Sequence, residues 1–321
     1  MKDYSVKLKI IELLSSGEFV SGEVLGSKLG ISRAAIGKHI KSILSWGLDI
    51  YRVQGKGYRL SKPIELLHKQ KIEALTNQNI ELIPVIDSTN QYLLERNGSL
   101  ESGATCLAEY QYHGRGRRGR QWVSPFGSNL YLSMYWKLEA GMAASMGLSL
   151  VVGVAVVEAL ESIGIKGIKL KWPNDLYYND KKLAGILVEM NGQAGGAANL
   201  VIGMGMNIDM PMAIAGIDQP WTSLSGVTSD LPERNILAAT IINTWKKTLE
   251  DYELFGMNEF VPRWNRLDNF IDRPAKLLMG ERQVSGVVKG INDQGAILIE
   301  THNGVESFIG GEISLRKDNE I

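Results

Sequence analysis

ATCLAEYQYHGRGRRGRQWVSPFGSNLYLSMYW, residues 104–136, is the stretch that decides how this chain is organised. An apolar segment, residues 104–110, leads into a loop of alternating arginine and glycine, residues 114–120, and a strand-like segment follows at 129–136. The loop holds four arginines, three glycines and no carboxylate. Because it lies between two apolar segments, this arginine loop belongs to a folded domain and not to a disordered tail.

The composition of the arginine loop indicates a site for an anion. Glycine lets backbone N–H groups approach a ligand, and arginine supplies forked, permanently charged donors that match phosphate. Like charges held this close repel one another, so we expect the loop to be mobile when empty and to order around a negatively charged ligand. Taken alone, the loop is equally compatible with a basic surface loop or a nucleic-acid patch.

The composition of the whole chain is that of a soluble globular protein. Of its residues 44% are hydrophobic and 22% are charged. Its length of 321 residues is enough for two or three domains. The single cysteine, Cys106, excludes an intramolecular disulfide and fits a reducing compartment. The first residues lack a signal-peptide pattern, and the uncharged segment 140–157 indicates a buried helix. We therefore expect a cytoplasmic protein that does not enter a membrane.

The charge is unevenly distributed along the chain. Residues 1–62 carry eleven lysines and arginines against five acidic residues, whereas the remainder carries the compensating negative excess. A basic head on an acidic body predicts that only the head meets nucleic acid.

Residues 1–62 have the pattern of a winged helix-turn-helix. Apolar residues at helical spacing predict three short helices, with Ser21 and Ser32 as caps of the second and third. Alternating residues around Gly55-Lys56-Gly57 then predict a β-hairpin wing. The candidate DNA contacts are Ser32, Arg33, Lys38, His39, Lys41 and Lys56. A three-helix module that docks protein is the alternative. Pro63 predicts the boundary of this head.

Residues 63–270 indicate one α/β domain built on a mixed sheet. Helices are predicted at 146–163 and 234–255. Strands are predicted at 82–86, 107–110, 129–136, 168–172, 184–190 and 200–208.

Four polar clusters interrupt these apolar stretches. They are Asp87-Ser88-Thr89-Asn90, Lys171-Trp172-Pro173-Asn174-Asp175, Asp180-Lys181-Lys182-Leu183-Ala184-Gly185 and Gly203-Met204-Gly205-Met206-Asn207. Taken alone, the first three clusters fit a helix cap, a turn and a solvated lysine. The glycines of the fourth cluster lie within a strand, which marks close approach by a ligand or another backbone. Together with the arginine loop they supply a phosphate site, a lysine and a carboxylate. That set suits nucleotidyl transfer to a carboxylate.

Residues 271–321 contain short strand-like segments separated by hairpin turns, which predict a small β-barrel. A barrel that contacts ligand or partner and a purely structural cap are both compatible with the pattern. The whole chain is thus expected to be an α+β multidomain protein.

The order of these motifs resembles the biotin protein ligases, and with a helix-turn-helix in front it resembles those that also repress a biotin operon. The resemblance covers nearly all of the chain. It implies a central domain like that of class II aminoacyl-tRNA synthetases. It also implies two half-reactions: biotin and MgATP form biotinyl-5′-adenylate, and a lysine of the biotin carrier domain of acetyl-CoA carboxylase then receives the biotin. ATP and Mg²⁺ are the implied cofactors.

The resemblance also implies roles for individual residues. Lys182 would hold the biotin carboxylate against the α-phosphate, Arg117 would meet the phosphate, and Asp175 would bind Mg²⁺ or orient the incoming amine. The loop at 212–222 would cover the adenine. The implied biotin and adenylate contacts are Ser88, Thr89, Asn90, Gln111, Gly114, Arg115, Gly116, Arg117, Arg120, Trp122, Lys182, Gly185, Asn207 and Trp221.

The implied regulation is a homodimer on a palindromic operator, with biotinyl-5′-adenylate as corepressor. Residues 184–190 and Gly195-Gly196 are candidates for the sheet edge at which two subunits pair. A ligand-sensing repressor without ligase activity and a ligase whose head binds protein are the alternatives. Tyr112-His113 departs from the small residues usual before the loop, and His113 is a candidate source of pH dependence.

Overall fold

The structure, a computed structural model, describes residues 3–141, 145, 147–191, 197–211, 214–279, 282–309 and 313–317. Three successive units follow one another along the chain: a helical head, a central mixed sheet with helices, and a C-terminal antiparallel sheet. Within the described residues, every helix is too short or too polar to cross a bilayer.

The head has the predicted winged helix-turn-helix order. Ser21 accepts a hydrogen bond from the N–H of Val24, and Ser32 accepts one from the N–H of Ala35, so both predicted caps are confirmed. The wing is a two-stranded antiparallel hairpin. The elements of the head are α1 (Ser5–Leu14), α2 (Gly22–Leu29), α3 (Arg33–Leu44), β1 (Ile50–Val53) and β2 (Gly57–Leu60).

The central unit is a seven-stranded sheet packed against helices. The helices are α4 (Lys69–Thr76), α5 (Thr89–Leu94), α6 (Leu148–Ser162), α7 (Arg234–Phe255) and α8 (Phe260–Leu267). The strands are β3 (Ile80–Leu82), β4 (Val85–Ile86), β5 (Thr105–Ala108), β6 (Tyr110–Gln111), β7 (Asn129–Leu138), β8 (Lys169–Lys171), β9 (Asp175–Tyr178), β10 (Lys181–Asn191) and β11 (Ala198–Asn207). The order is β3-β5-β7-β11-β10-β9-β8, with β3 and β5 parallel and the other pairs antiparallel. The short β4 and β6 pair separately.

Two predicted strands are each divided in the structure. The segment 82–86 becomes β3 and β4, and the segment 107–110 becomes β5 and β6. Pro84 lies at the first division and has no N–H for a sheet. Its carbonyl instead accepts hydrogen bonds from the N–H groups of both Glu109 and Tyr110. Glu109 turns inward to pair with the buried Arg234 at 2.8 Å.

The prediction that 184–190 forms a sheet edge is wrong for its first half. Ala184 and Gly185 pair with β9, and the N–H of Ile186 donates to the Asn174 carbonyl. In the second half of this segment, residues 187–190 of β10 have no strand partner on the β9 side among the described residues. Gly195 and Gly196 lie outside the described residues.

The C-terminal strands are β12 (Pro274–Met279), β13 (Arg282–Ile291), β14 (Ile297–Thr301), β15 (Gly304–Phe308) and β16 (Ile313–Lys317). They form one five-stranded antiparallel sheet in the order β15-β14-β13-β12-β16. Its turn at Gly295 reaches the central unit, because the Gly295 carbonyl accepts a hydrogen bond from the Trp172 indole at 3.1 Å.

Candidate functional site

A row of four residues crosses the central sheet beneath the arginine loop. Lys171 on β8 lies opposite Asp175 on β9, Asp175 lies opposite Gly185 on β10, and Gly185 lies opposite Gly205 on β11. Opposite residues of antiparallel strands share one face of a sheet. All four residues line one cavity, and the row forms its floor.

The first cavity lies on that floor and gathers most of the predicted ligand contacts. Its wall includes the start of α5, the arginine loop and strands β8 to β11. The residues that line it are Ser88, Thr89, Asn90, Gln111, Arg115, Gly116, Arg117, Arg118, Arg120, Gln121, Trp122, Lys171, Trp172, Pro173, Asn174, Asp175, Tyr177, Lys182, Gly185, Ile186, Leu187, Gly203, Met204, Gly205 and Gln219.

The strand glycines make room for side chains that close the floor. A Cβ on Gly205 would lie 2.3 Å from Nε1 of Trp122, and a Cβ on Gly203 would lie 2.0 Å from Oδ1 of Asn90. Trp122 and Asn90 therefore approach these glycines closely. Gly203 and Gly205 also line the first cavity, so a close approach by a ligand stays a prediction. Nε1 of Trp122 is buried and has no hydrogen-bond partner among the described residues.

One end of the first cavity is polar, uncharged and rigid. The N–H of Thr89 donates to Oε1 of Gln111 at 3.0 Å, and the Ser133 hydroxyl lies 2.7 Å from Oγ1 of Thr89. Ser88 caps α5 and is buried with Thr89 and Asn90. Buried, mutually hydrogen-bonded groups hold their directions, so this end suits a neutral polar group.

The arginine loop is anchored to both walls of the cavity. Arg115 donates to Oε1 of Gln91 at 2.6 Å and pairs with Glu189 of β10 at 2.9 Å. Glu189 also accepts a hydrogen bond from Asn90 at 2.9 Å, so this carboxylate joins the loop to the polar end. Arg117 donates to Oδ1 of Asn174 at 3.2 Å. The ordering of the loop by an anion stays a prediction.

The opposite end of the first cavity is rich in positive charge. Lys182 pairs with Asp175 at 2.9 Å, with side chains 15% and 18% exposed. Burial lowers the pKa of Arg117, and its like-charged neighbour Arg118 acts in the same direction, against the attraction of Asp175. Asp175 is the one carboxylate among the described residues of this wall. An anion would balance the excess positive charge.

A second cavity opens beside the first, with Trp122 and Lys182 in the wall of both. The N–H of Lys182 donates to the Pro220 carbonyl and the Lys182 carbonyl accepts from the N–H of Thr222, which holds the following loop beside this lysine. The second cavity is lined by Arg120, Gln121, Trp122, Val123, Lys182, Asn207, Gly216, Ile217, Asp218, Gln219 and Trp221. Met212, the first residue of the predicted covering loop, lies outside the described residues.

Comparisons with known proteins agree with this geometry. Residues 82–207 match the biotin/lipoate A/B protein ligase family, residues 6–59 an HTH domain, and residues 270–316 the biotin protein ligase C-terminal domain. The chain is 52% identical over 320 residues to the bifunctional ligase/repressor BirA of Salmonella typhimurium, covering 98% of this chain and 99% of that protein.

The same protein of Escherichia coli is 52% identical over 318 residues, again covering 98% of this chain and 99% of the relative. Among solved structures, the biotin protein ligase of Aquifex aeolicus in complex with biotin and ATP has a TM-score of 0.65 at 29% identity, covering 75% of this chain and all of that one.

The chain belongs to the biotin protein ligase family.

Of the contacts that this family resemblance implied, Gly114 lines neither cavity. A Cβ on Gly114 would lie 2.5 Å from the Trp122 carbonyl oxygen, and the N–H of Trp122 donates to the Gly114 carbonyl. Gly114 therefore closes the base of the arginine loop. Asn207 and Trp221 line the second cavity and not the first.

Sequence reasoning missed other residues that line the first cavity or connect its walls. Lys171, Asn174 and Tyr177 line the first cavity, and Glu189 joins the arginine loop to Asn90. Lys171 and Asn174 belong to the polar cluster at 171–175, in which the sequence predicts a role only for Asp175. Nothing in the sequence pairs Glu189 with Arg115, because 74 positions of chain separate them.

The residues predicted to contact DNA lie on the head as expected for an exposed recognition helix and wing. Arg33, Lys38, Lys41 and Lys56 are exposed, and His39 is half-buried. The Ser32 hydroxyl is occupied by the cap of α3. The DNA contacts themselves stay predictions.

Asp175 is a poor single ligand for a metal ion. Among the described residues there is no group of three or more His, Cys, Asp or Glu side chains that could hold one. Mg²⁺ in nucleotide sites is commonly bound by one or two carboxylates together with substrate phosphates and water. The residues present fit Mg²⁺ in that role, carried with a nucleotide.

Proposed function

We propose that this chain makes biotinyl-5′-adenylate from biotin and ATP and transfers biotin to a lysine of the biotin carrier domain of acetyl-CoA carboxylase. We propose further that it represses transcription, with the adenylate as corepressor. The observation that carries the ligase proposal is Lys182, which lines both cavities and pairs with Asp175 in the wall of the first. A lysine held there by a carboxylate is placed to meet two ligands at once.

The first cavity would take biotin with its ring at the uncharged end, against Ser88, Thr89, Asn90 and Gln111. Its carboxylate would then reach Lys182. The second cavity would take the adenosine, beside Asn207 and Trp221. The α-phosphate would lie between the two, which places it next to the biotin carboxylate.

Adenylate formation requires two anions to approach each other. A carboxylate oxygen attacks the α-phosphorus, the bond to the bridging oxygen breaks, and pyrophosphate leaves with the electron pair. Lys182 and Arg117 reduce the repulsion between carboxylate and phosphate and stabilise the charge that develops. Mg²⁺ carried by ATP would neutralise phosphate charge, with Asp175 as its protein carboxylate.

In the second step the carrier lysine attacks the acyl carbon of the mixed anhydride. The carbon–oxygen bond to the phosphate breaks, AMP leaves with the electron pair, and the amine loses a proton. Asp175 is the carboxylate at this point of the wall, so it would orient the incoming amine.

The repressor proposal rests on the basic head and on residues 187–190 of β10, which no described strand pairs with on the β9 side. Two subunits that pair along this edge would present two recognition helices to a palindromic operator. Glu189 lies in the same stretch and pairs with Arg115. This residue therefore connects the strand edge to the arginine loop, which would bind the ligand.

Incubation with biotin, MgATP and a carrier domain tests the ligase proposal, with mass spectrometry for the mixed anhydride and for biotin on the carrier. We expect both products, and we expect Lys182→Ala to form neither while retaining its fold. A parent chain that binds biotin and operator DNA but makes no adenylate would be a ligand-sensing repressor instead. Gel shifts of Arg33→Ala against the parent at stated salt test the head.

A further inference from the structure

Lys171 is a buried cation in the wall of the first cavity. The residue is 7% exposed, and its Nζ donates to Oη of Tyr177 at 3.1 Å. The same Nζ lies 4.8 Å from the centre of the Tyr177 ring and 5.5 Å from that of Phe270. Burial of an ammonium group is costly unless charge and hydrogen bonds compensate. The adenylate chemistry described above leaves this lysine without a role.

The position of Lys171 in the sheet separates it from the uncharged end. Asn90 lies over Gly203 of β11, Lys182 and Asp175 lie on β10 and β9, and Lys171 lies on β8. Neighbouring strands are about 4.8 Å apart, so β8 is roughly 14 Å from β11. The uncharged end, the ion pair and Lys171 therefore follow one another across the sheet.

We infer that Lys171 holds the pyrophosphate leaving group while the adenylate forms. This inference rests on the proposed ligase function. Nucleophile and leaving group lie roughly in line on opposite sides of the phosphorus in phosphoryl transfer. Because the carboxylate approaches from the Asn90 side, the pyrophosphate departs toward β8.

The charges of the wall support this direction. Arg117 and Lys182 suffice for the α-phosphate and the carboxylate, and Lys171 adds a third cation one strand further along. Asp175, the one carboxylate among the described lining residues, pairs with Lys182 and attracts Arg117. The excess positive charge therefore extends past the reacting atoms, where a polyphosphate would continue. The Tyr177 hydroxyl fixes the direction of the Lys171 ammonium.

The test uses Lys171→Met, which keeps the length of the side chain and removes its charge. Lys169→Met is the matched control, because Lys169 stands on the same strand two residues earlier and its Nζ donates to the Arg266 carbonyl, outside the cavity. Both variants are measured as full-length protein for unfolding temperature, biotin affinity, adenylate formation, and transfer from isolated biotinyl-5′-adenylate to a carrier domain.

For Lys171→Met we expect kcat/KM for ATP to fall by about ten- to a hundredfold, the size expected for one charged donor at a leaving group. In the reverse reaction, with preloaded adenylate and added pyrophosphate, the KM for pyrophosphate should rise by a similar factor. Biotin affinity and transfer from isolated adenylate should match the parent. Lys169→Met should match the parent in every assay, and Lys171→Arg should recover part of the pyrophosphate affinity.

Normal pyrophosphate kinetics in Lys171→Met would overturn the inference. So would normal adenylate formation with slow transfer, which would assign this end of the cavity to the carrier lysine. If Lys171→Met does not fold, Tyr177→Phe keeps the inference testable, because loss of the hydroxyl should raise the KM for pyrophosphate and leave biotin affinity intact. A parent chain without any adenylate formation would refute the proposed function itself.

Discussion

The indole N–H of Trp46 donates a hydrogen bond of 3.2 Å to the hydroxyl of Tyr112. Trp46 lies just after the recognition helix of the head and stacks on Phe126 of the central unit, with ring centres 5.7 Å apart. Tyr112 also contacts Tyr4, and their hydrogen bond is the main reason why the pKa of Tyr4 is raised to about 12. The head is thus fastened to the segment that leads into the arginine loop.

Tyr112→Phe should weaken this contact between head and body. It removes the acceptor of the Trp46 N–H while keeping the ring, so we expect a loss of about 1 kcal/mol in the free energy of unfolding. Urea denaturation followed by tryptophan fluorescence measures it. Tyr135→Phe is the control, because the Tyr135 hydroxyl donates a hydrogen bond to Asn199 within the central sheet. Faster proteolysis at residues 61–63 in Tyr112→Phe alone would locate the effect at the head, and equal proteolysis in both variants would contradict it.

Arg117→Gly should leave the fold intact and loosen the hold on the adenylate. The side chain makes a hydrogen bond of 3.2 Å to Asn174 at the edge of the cavity, a contact of small value to stability. We expect an unfolding free energy within about 1 kcal/mol of the parent and a faster release of biotinyl-5′-adenylate in stopped-flow experiments. A large drop in unfolding temperature without ligand would show that Arg117 is mainly structural.

Gly205→Ala should impair ligand binding more than folding. The added Cβ would lie 2.3 Å from Nε1 of Trp122, so the indole must leave the floor of the cavity. We expect weaker adenylate binding by calorimetry together with a changed Trp122 environment. Gly98→Ala, where a Cβ meets nothing within 4 Å, should bind like the parent. Unchanged adenylate affinity in Gly205→Ala would mean that the position of Trp122 does not matter for binding.

Asp268 should make the protein less stable as the pH rises from about 4 to about 6. Burial raises the pKa of Asp268 to about 6, and its Oδ2 has no hydrogen-bond partner among the described residues. The folded state therefore holds this proton more tightly than the unfolded state. The stability so gained is fully present below the ordinary pKa and is lost as the pH passes the raised one.

Asp268→Asn should remove that dependence. It keeps an oxygen to accept the hydrogen bond from the N–H of Phe270. At pH 8 we expect the variant to be more stable than the parent by roughly 3 kcal/mol, whereas near pH 4 the difference should vanish. Thermal unfolding across this pH range measures the difference, and parallel curves for the two proteins would disprove the effect of Asp268.

Local patterns sufficed for much of the fold. The serine caps of α2 and α3, the wing and the bounds of α7 were predicted, because caps, helical spacing and turn residues act over a few neighbouring positions. The elements α4, β9, α8 and β16 were not predicted. β9 has four residues and exists through its pairing with β8 and β10, so its own sequence reads as part of a turn.

The sequence by itself determined the order of the three units and the family resemblance. It also predicted the arginine loop as an anion site and a set of ligand contacts, most of which line the two cavities. Only the tertiary structure decided that Trp122 and Asn90 occupy the space above Gly205 and Gly203, that Glu189 meets Arg115, and that Lys171 enters the cavity wall. The physical reason is range. Caps and periodicity depend on near neighbours in the chain, whereas these contacts depend on strand register, which brings distant residues onto one face of the sheet.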